Sequence, residues 1–400
     1  MLLQADSASL FNEARATATA LLAHCRDREW AGWDPYDALN SPLLRRFPVL
    51  DCRPSRLALT QLAKRCPSPL RGLLRVPRTV NPKATALFLT AFTTFPPAAC
   101  PPRELPVSST IDHLIALRSP HSRHHAWGYP FPWQTRTVLV PRGAPNLVTT
   151  CFAANALLDA YELRDDARCL TAATSAASYL TNELYCAEDT LIGFRYPTPL
   201  SPPTIHNANL LASALLCRVY RHTGDRTLLD VALRVARHSA SRQQADGSWH
   251  YGESAAHRWV DNFHTGYNLC ALRSIGIDAA VDEFTPHLHR GLAFYLAHFF
   301  RTDGAPTYFP NRPYPVDIHC VAQAMITLLT LRDLAHDAIE RAHAIFRWAM
   351  THMWDPRGFF YYRVHRLTTI RVDYIRWAQA WMCVALATLL KSLSYPPPSR

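Results

Sequence analysis

Two kinds of helical stretch alternate along this chain. One kind carries apolar positions spaced for a single buried face. It is predicted near 7–25, 108–118, 166–185, 225–243, 281–300 and 334–352. The other kind is apolar nearly all round, as expected of a helix enclosed by neighbours. It is predicted near 83–95, 146–162, 206–221, 264–276, 317–332 and 373–391. Asn146 after Pro145, and Asp225 after Thr223-Gly224, have the chemistry of helix N-caps. Ten prolines lie between Pro54 and Pro106, so the first hairpins (1–105) are expected to be irregular and the repeats regular from 106 to 400.

The more apolar helices open on a repeated signature. Val260-Asp261, Val316-Asp317 and Val372-Asp373 follow one another at intervals of 56 residues. Glycine-aromatic loops precede them at Gly193, Gly247, Gly304 and Gly358, spaced by 54, 57 and 54 residues, with an earlier member at Gly128. A fixed period of this length signals a repeat architecture. Six amphipathic helices around six apolar ones make an all-α, (α/α)6 toroid, with residues 1–400 as one domain. In such a ring the glycine-aromatic loops emerge on one face and line a central cleft.

Composition narrows the function. The formal net charge is +11, and only Lys64, Lys83 and Lys391 among the 42 cations are lysine. The dispersed arginines suit a phosphate, carboxylate or sulfate on a small molecule or glycan. No dense basic run or nucleic-acid motif is present, so no nucleic-acid partner is expected. Eleven cysteines show no CxxC or paired spacing and read as small core residues. No metal or other cofactor is expected. No apolar run reaches transmembrane length. The start, Met1-Leu2-Leu3-Gln4-Ala5-Asp6, lacks the pattern of a signal peptide, and a cytoplasmic location is expected.

The cleft candidates are Asp34, Asp37, Trp127, Tyr129, Trp133, Arg136, His206, Asn207, Trp249, Tyr251, Tyr267, Tyr308, Gln323, Asp373 and Arg376 for binding. Asp261, His264, Asp317 and His319 are the candidates for catalysis. Aromatic faces beside carboxylates and amides suit a polar saccharide. Asp261 paired with Asp317 or Asp34 would serve glycoside hydrolysis, which needs two carboxylates. His264 and His319, at the starts of adjacent apolar helices, would serve proton exchange in an epimerase. The competing reading makes Asp261, Asp317 and Asp373 simple N-caps, repeated because the hairpin repeats.

Residues 243–249, Gln-Gln-Ala-Asp-Gly-Ser-Trp, resemble the QW-type repeat of squalene cyclases. His264-Thr-Gly-Tyr-Asn-Leu269 resembles a stretch of protein prenyltransferase β subunits. Both families are α/α toroids. Neither chemistry transfers well: the Asp-x-Asp-Asp motif of the cyclases is missing, and Asp317, His319 and Cys320 have the wrong order and spacing for the prenyltransferase zinc site. Trp127–Trp133, Asp246–Gly252 and Asp261–Tyr267 are also similar to segments of the carbohydrate-active toroids. Those are the six-hairpin glycosidases, unsaturated uronyl hydrolases, N-acylglucosamine 2-epimerases and toroid proteins of bacterial polysaccharide pathways. This second resemblance implies an enzyme acting on a polar, anionic small-molecule or oligosaccharide substrate, by hydrolysis or epimerisation. The alternatives are a terpene cyclase or prenyltransferase-like enzyme, and a non-catalytic glycan-binding protein.

Overall fold

A computed structural model describes residues 2–47, 51–66, 69–100, 105–188 and 191–395. Its helices are α1 (Leu2–Arg26), α2 (Arg53–Arg65), α3 (Pro69–Leu73), α4 (Pro82–Thr94), α5 (Val107–Ala116), α6 (Leu147–Arg164) and α7 (Ala167–Tyr179). They continue with α8 (His206–Thr223), α9 (Arg226–Ser241), α10 (Asn262–Asp278), α11 (Thr285–His298), α12 (Ile318–Thr330), α13 (Ala338–Met353) and α14 (Trp381–Ser394). None is long and apolar enough to cross a membrane.

Helices α4, α6, α8, α10, α12 and α14 form a closed inner ring, each packed on the next and α14 returning to α4. The outer helices are α1, α5, α7, α9, α11 and α13, and the chain is an α/α toroid. Packing pairs each inner helix with the outer helix that follows it, except that the last inner helix, α14, takes α1 from the chain's start. Turn chemistry explains the pairing. Asp165 (φ 54°) and Gly224 (φ 73°) take left-handed conformations that stop α6 and α8, and the next residues, Asp166 and Asp225, cap α7 and α9. Two-residue turns of this kind force the two helices to lie antiparallel.

The outer-to-inner connections are longer and carry small antiparallel sheets. One joins 316–317, 363–364 and 369–370, and places Arg363 opposite Asp317. The largest departure from expectation is at the last inner helix. Residues Ile375–Ala380 form a wide π-helical turn before α14. Among the described residues, 27–81 holds the short helices α2 and α3 with two 3-10 turns and one strand pair.

The glycine-aromatic loops are braces. Trp249 is almost fully buried, and its Nε1–H donates to the Ser239 carbonyl at 3.1 Å. Trp127 does the same to Leu114 at 2.7 Å. Gln243 Nε2 ties its loop to the carbonyls of Gly247 and His287. Gly247 sits at φ 92°, and a Cβ there would lie 2.3 Å from the Arg290 carbonyl oxygen. Both strain and clash act against substitution, so Gly247→Ala should destabilise the fold by about 2–4 kcal/mol, backbone strain adding to the steric term. A urea unfolding midpoint unchanged from the wild type would contradict that account.

Candidate active site

The inner helices begin at one end of the ring, and in four of the six a capping side chain sets the first turn. Asn81 accepts the Lys83 N–H, Asn146 that of Thr149, Asp261 that of His264 and Asp317 that of His319. Of the repeated aspartates, Asp261 and Asp317 therefore are N-caps, whereas Asp373 caps no helix and pairs with His24 and Arg28 instead. Their remaining oxygens differ, and so do the residues they hold.

Asp261 orients a histidine. Its Oδ1 accepts the His264 backbone N–H at 3.0 Å, and its Oδ2 receives Trp259 Nε1–H at 3.1 Å and pairs with His264 Nδ1 at 2.7 Å. A carboxylate at Nδ1 selects the tautomer with the proton there, leaving the Nε2 lone pair free. Among the described residues Nε2 makes no hydrogen bond, and the His264 side chain is 20% exposed while that of Asp261 is sealed at 1%. Tyr251 and Phe263 flank the ring at 4.6 and 4.1 Å between centroids.

His319 is in a different state. It is buried, its Nε2 lies 2.6 Å from the Tyr267 hydroxyl, and its Nδ1 is buried without a partner. Burial holds its pKa well below the ordinary histidine value, with Lys83, Arg376 and His264 adding repulsion. The ring is a neutral imidazole. Phe263 stacks on it at 4.7 Å, so one phenyl ring touches both histidines.

Asp317 is committed elsewhere. Oδ1 accepts the His319 N–H and, at 2.8 Å, Trp377 Nε1–H; Oδ2 is forked by Arg363 at 2.9 and 2.6 Å. Asp34 is likewise gripped by Arg376 at 2.5 and 2.8 Å. Asp37 pairs with fully buried Arg71, which also donates to the Asp34 and Ala63 carbonyls. These carboxylates fasten loops together and are poorly placed to exchange protons.

Lys83 was missed as a site residue. It lies 3% exposed in the first turn of α4. Its Nζ stands 4.0 Å from the Phe152 ring centre, 5.4 Å from Trp381 and 5.7 Å from Tyr267. Among the described residues the amine makes no hydrogen bond or ion pair. Burial pushes its pKa well below the lysine norm, and the Arg376 cation adds to this; Asp34 opposes it. Cation–π contact offers about 2 kcal/mol, less than the several kcal/mol that burying an unpaired ammonium costs. Burial therefore shifts the amine toward its neutral form. One of only three lysines, standing at the start of an apolar helix, was a usable signal in the sequence.

The remaining candidates divide. Tyr129, Trp133, Tyr251 and Tyr308 join Tyr36, Tyr196 and Trp259 around the centre, where Tyr36 is near enough to Tyr129, Tyr196, Tyr251 and Tyr308 to act on each electrostatically. Arg136 is exposed at their edge, stacked on Trp259 at 4.4 Å. Gln323 reaches Thr327 and Cys270 between α10 and α12, and Asn207 is buried with its Oδ1 unpartnered. Asp373 points to the outer helix α1 and the turn after it, where it meets His24 and Arg28; it is not beside His264 or His319. His206 turns to Ser239 on α9. Trp127 and Trp249 are the braces described above. Phe152, Phe263, Arg363, Trp377 and Trp381 belong to the centre and were not anticipated. No group of three or more His, Cys, Asp or Glu among the described residues is arranged to hold a metal.

No protein-family model matches the sequence. No curated protein is similar to it at a significant level. Solved structures do share its architecture. A cellobiose 2-epimerase from Bacillus thermoamylovorans superposes with a TM-score of 0.58 at 13% identity, over 78% of this chain and 90% of that one. An unsaturated glucuronyl hydrolase specific for heparin gives 0.61 at 12%, over 95% and 97%. A GH76 α-mannanase from Bacteroides thetaiotaomicron gives 0.61 at 13%, over 79% and 87%. The fold is the six-hairpin α/α toroid. At such identities the likeness concerns architecture, and the reaction has to be argued from this chain's own residues.

His206 provides a pH test of the framework. Burial is the main force pushing its pKa down to about 4 from 6.5; Glu253 opposes the shift, while His238, Arg242 and His250 favour it. The folded state thus binds fewer protons than the unfolded state between those values. Its contribution is complete above pH 6.5 and disappears as pH falls through 6.5 toward 4, amounting to about 3 kcal/mol. His206→Asn should flatten that part of the profile, read from urea midpoints between pH 7.5 and 4.5.

Proposed function

We propose that this protein is a sugar epimerase, acting on a saccharide at the carbon beside its open-chain carbonyl. The observation that supports this is the Asp261–His264 dyad, with a free Nε2, beside the Tyr267–His319 pair. Epimerisation needs one group to take a proton from carbon and another to return one on the opposite face. His264 Nε2 suits the first task, since Asp261 stabilises the imidazolium that forms. The Tyr267 hydroxyl, coupled to neutral His319, suits the second. Hydrolysis is less well served, because Asp317 and Asp34 are both engaged by arginine. The similar structures include epimerases and hydrolases alike, so the reading favours one of the two chemistries that the fold supports.

The half-buried aromatic wall suits the C–H faces of sugar rings. Arg136 makes no ion pair among the described residues and stacks on that wall, which suits a carboxylate or sulfate on the substrate.

The decisive experiment is incubation with reducing disaccharides, neutral and uronate-bearing, in D2O, followed by NMR. Deuterium should enter at C2 with the glycosidic bond intact. His264→Gln should lower that rate about 100- to 10,000-fold, the usual contribution of a general base, and Asp261→Asn should also lower it while keeping the cap. Cleavage without exchange would replace epimerisation by hydrolysis. Binding that His264→Gln leaves untouched, with no turnover, would indicate a glycan-binding protein, and retention of an isoprenoid diphosphate with no sugar response a terpene-type enzyme.

Arg136→Ala should weaken binding of a uronate-bearing sugar about fivefold, as for a partly exposed ion pair, and leave neutral sugars unaffected. Calorimetry at low and high salt checks this, since the difference should shrink with ionic strength.

A further inference from the structure

One nucleophile at the centre is unused by the proton-exchange scheme. We propose that Lys83 captures the open-chain aldehyde of the sugar as an imine, holding the substrate covalently while protons move at the neighbouring carbon.

Three observations carry the inference. First, the amine is placed by structure, in the first turn of inner helix α4, whose N-cap Asn81 fixes the Lys83 backbone. Second, it is enclosed by ring faces from three other inner helices, Phe152 on α6, Tyr267 on α10 and Trp381 on α14, and has no acceptor among the described residues. A lysine kept for architecture would be expected to find a carboxylate. The nearby carboxylate Asp34 is instead taken up by Arg376. Third, two of those rings, Tyr267 and Trp381, also contact His319, at 5.9 and 4.7 Å between centroids. Amine and proton-transfer pair therefore share one aromatic enclosure. Desolvation and a neighbouring cation, both present here, are the conditions that make a lysine amine nucleophilic at neutral pH.

The chemistry balances without a further reactant. The Nζ lone pair attacks the aldehyde carbon, a C–N bond forms, and the carbonyl oxygen takes a proton. Loss of the second amine hydrogen with that hydroxyl gives the imine and one water. Protonation of the imine nitrogen makes C2–H more acidic than it is in the aldehyde. Removal of that proton gives an enamine, reprotonation at C2 gives the other epimer, and hydrolysis by one water returns the free amine. The Tyr267–His319 pair, whose tyrosine ring centre lies 5.7 Å from Nζ, passes the protons of imine formation.

This inference rests on the epimerase reading, and the test separates the two. The protein is incubated with cellobiose, or with glyceraldehyde as a minimal aldehyde, in sodium cyanoborohydride. Adducts are mapped by peptide mass spectrometry, and C2 exchange is measured in parallel without reductant. The expected result is one rapid adduct at Lys83 with either probe. It should be absent from Lys83→Met, whose apolar side chain fits the aromatic enclosure and whose folding is checked by thermal melting. Lys83→Met and Lys83→Arg should both lose C2 exchange by at least about 100-fold. Exchange by the wild type with no Lys83 adduct, or exchange retained in Lys83→Met, overturns the imine and leaves the epimerase standing. A Lys83 adduct with glyceraldehyde but no exchange on any sugar upholds the reactive amine and overturns the epimerase. Labelling confined to Lys64, Lys391 or the amino terminus overturns the proposal.

Discussion

An inner helix that is apolar on every side cannot stand at the end of a row, because the side left in water would forfeit its burial. That constraint closes the ring. Helix α14 needs both a neighbour and an outer cover, and the chain meets the need by bringing α4 and α1 from its own beginning. Ion pairs then secure the seam. Arg376 grips Asp34 across 342 positions of sequence, and Asp373 meets His24 of α1 and Arg28 just beyond its end. Arg71 and Asp37 stiffen the irregular N-terminal segment that carries Asp34. Since Arg376 also lies over Tyr129 at 4.8 Å, the closure is part of the wall around the central residues.

The same closure explains how a reactive centre can exist inside a repeat. Four of the six inner helices, α4, α6, α10 and α12, start with a capping side chain, and the cap fixes the residue that stands in the first turn. The caps are alike, whereas the first-turn residues differ: Lys83, Thr149, His264 and His319. Six different starts meet at one end of the ring, so a repeated scaffold delivers a non-repeated set of groups to one place. Their states differ with burial. His264 keeps contact with solvent, His319 is held neutral, and Lys83 is surrounded by aromatic faces.

Much of this was legible in the residues. Apolar periodicity located the twelve helices of the ring, the largest miss being α14, which begins at Trp381 behind a π-helical turn, since helix amphipathicity is a local property set by side-chain spacing. The glycine loops were legible as well, though whether their tryptophans bind or pack was not. Trp127 and Trp249 prove to be braces because each indole N–H reaches back from its loop to a carbonyl in the last turn of the preceding outer helix. Asp317 and Asp373 looked equivalent to Asp261 by register. Their partners, Arg363 in one case and His24 with Arg28 in the other, come from segments that local spacing does not relate to them.

The sequence by itself determined the helices, their two classes, the period of the repeat and the residues that open each inner helix, because all of these follow from spacing along one chain. Only the tertiary structure decided which carboxylates are left to act, that Lys83 shares an enclosure with His319, and that α1 covers α14. Those facts depend on which distant segments become neighbours. Burial and pairing, which set the charge state of every group at the centre, are created by that closure.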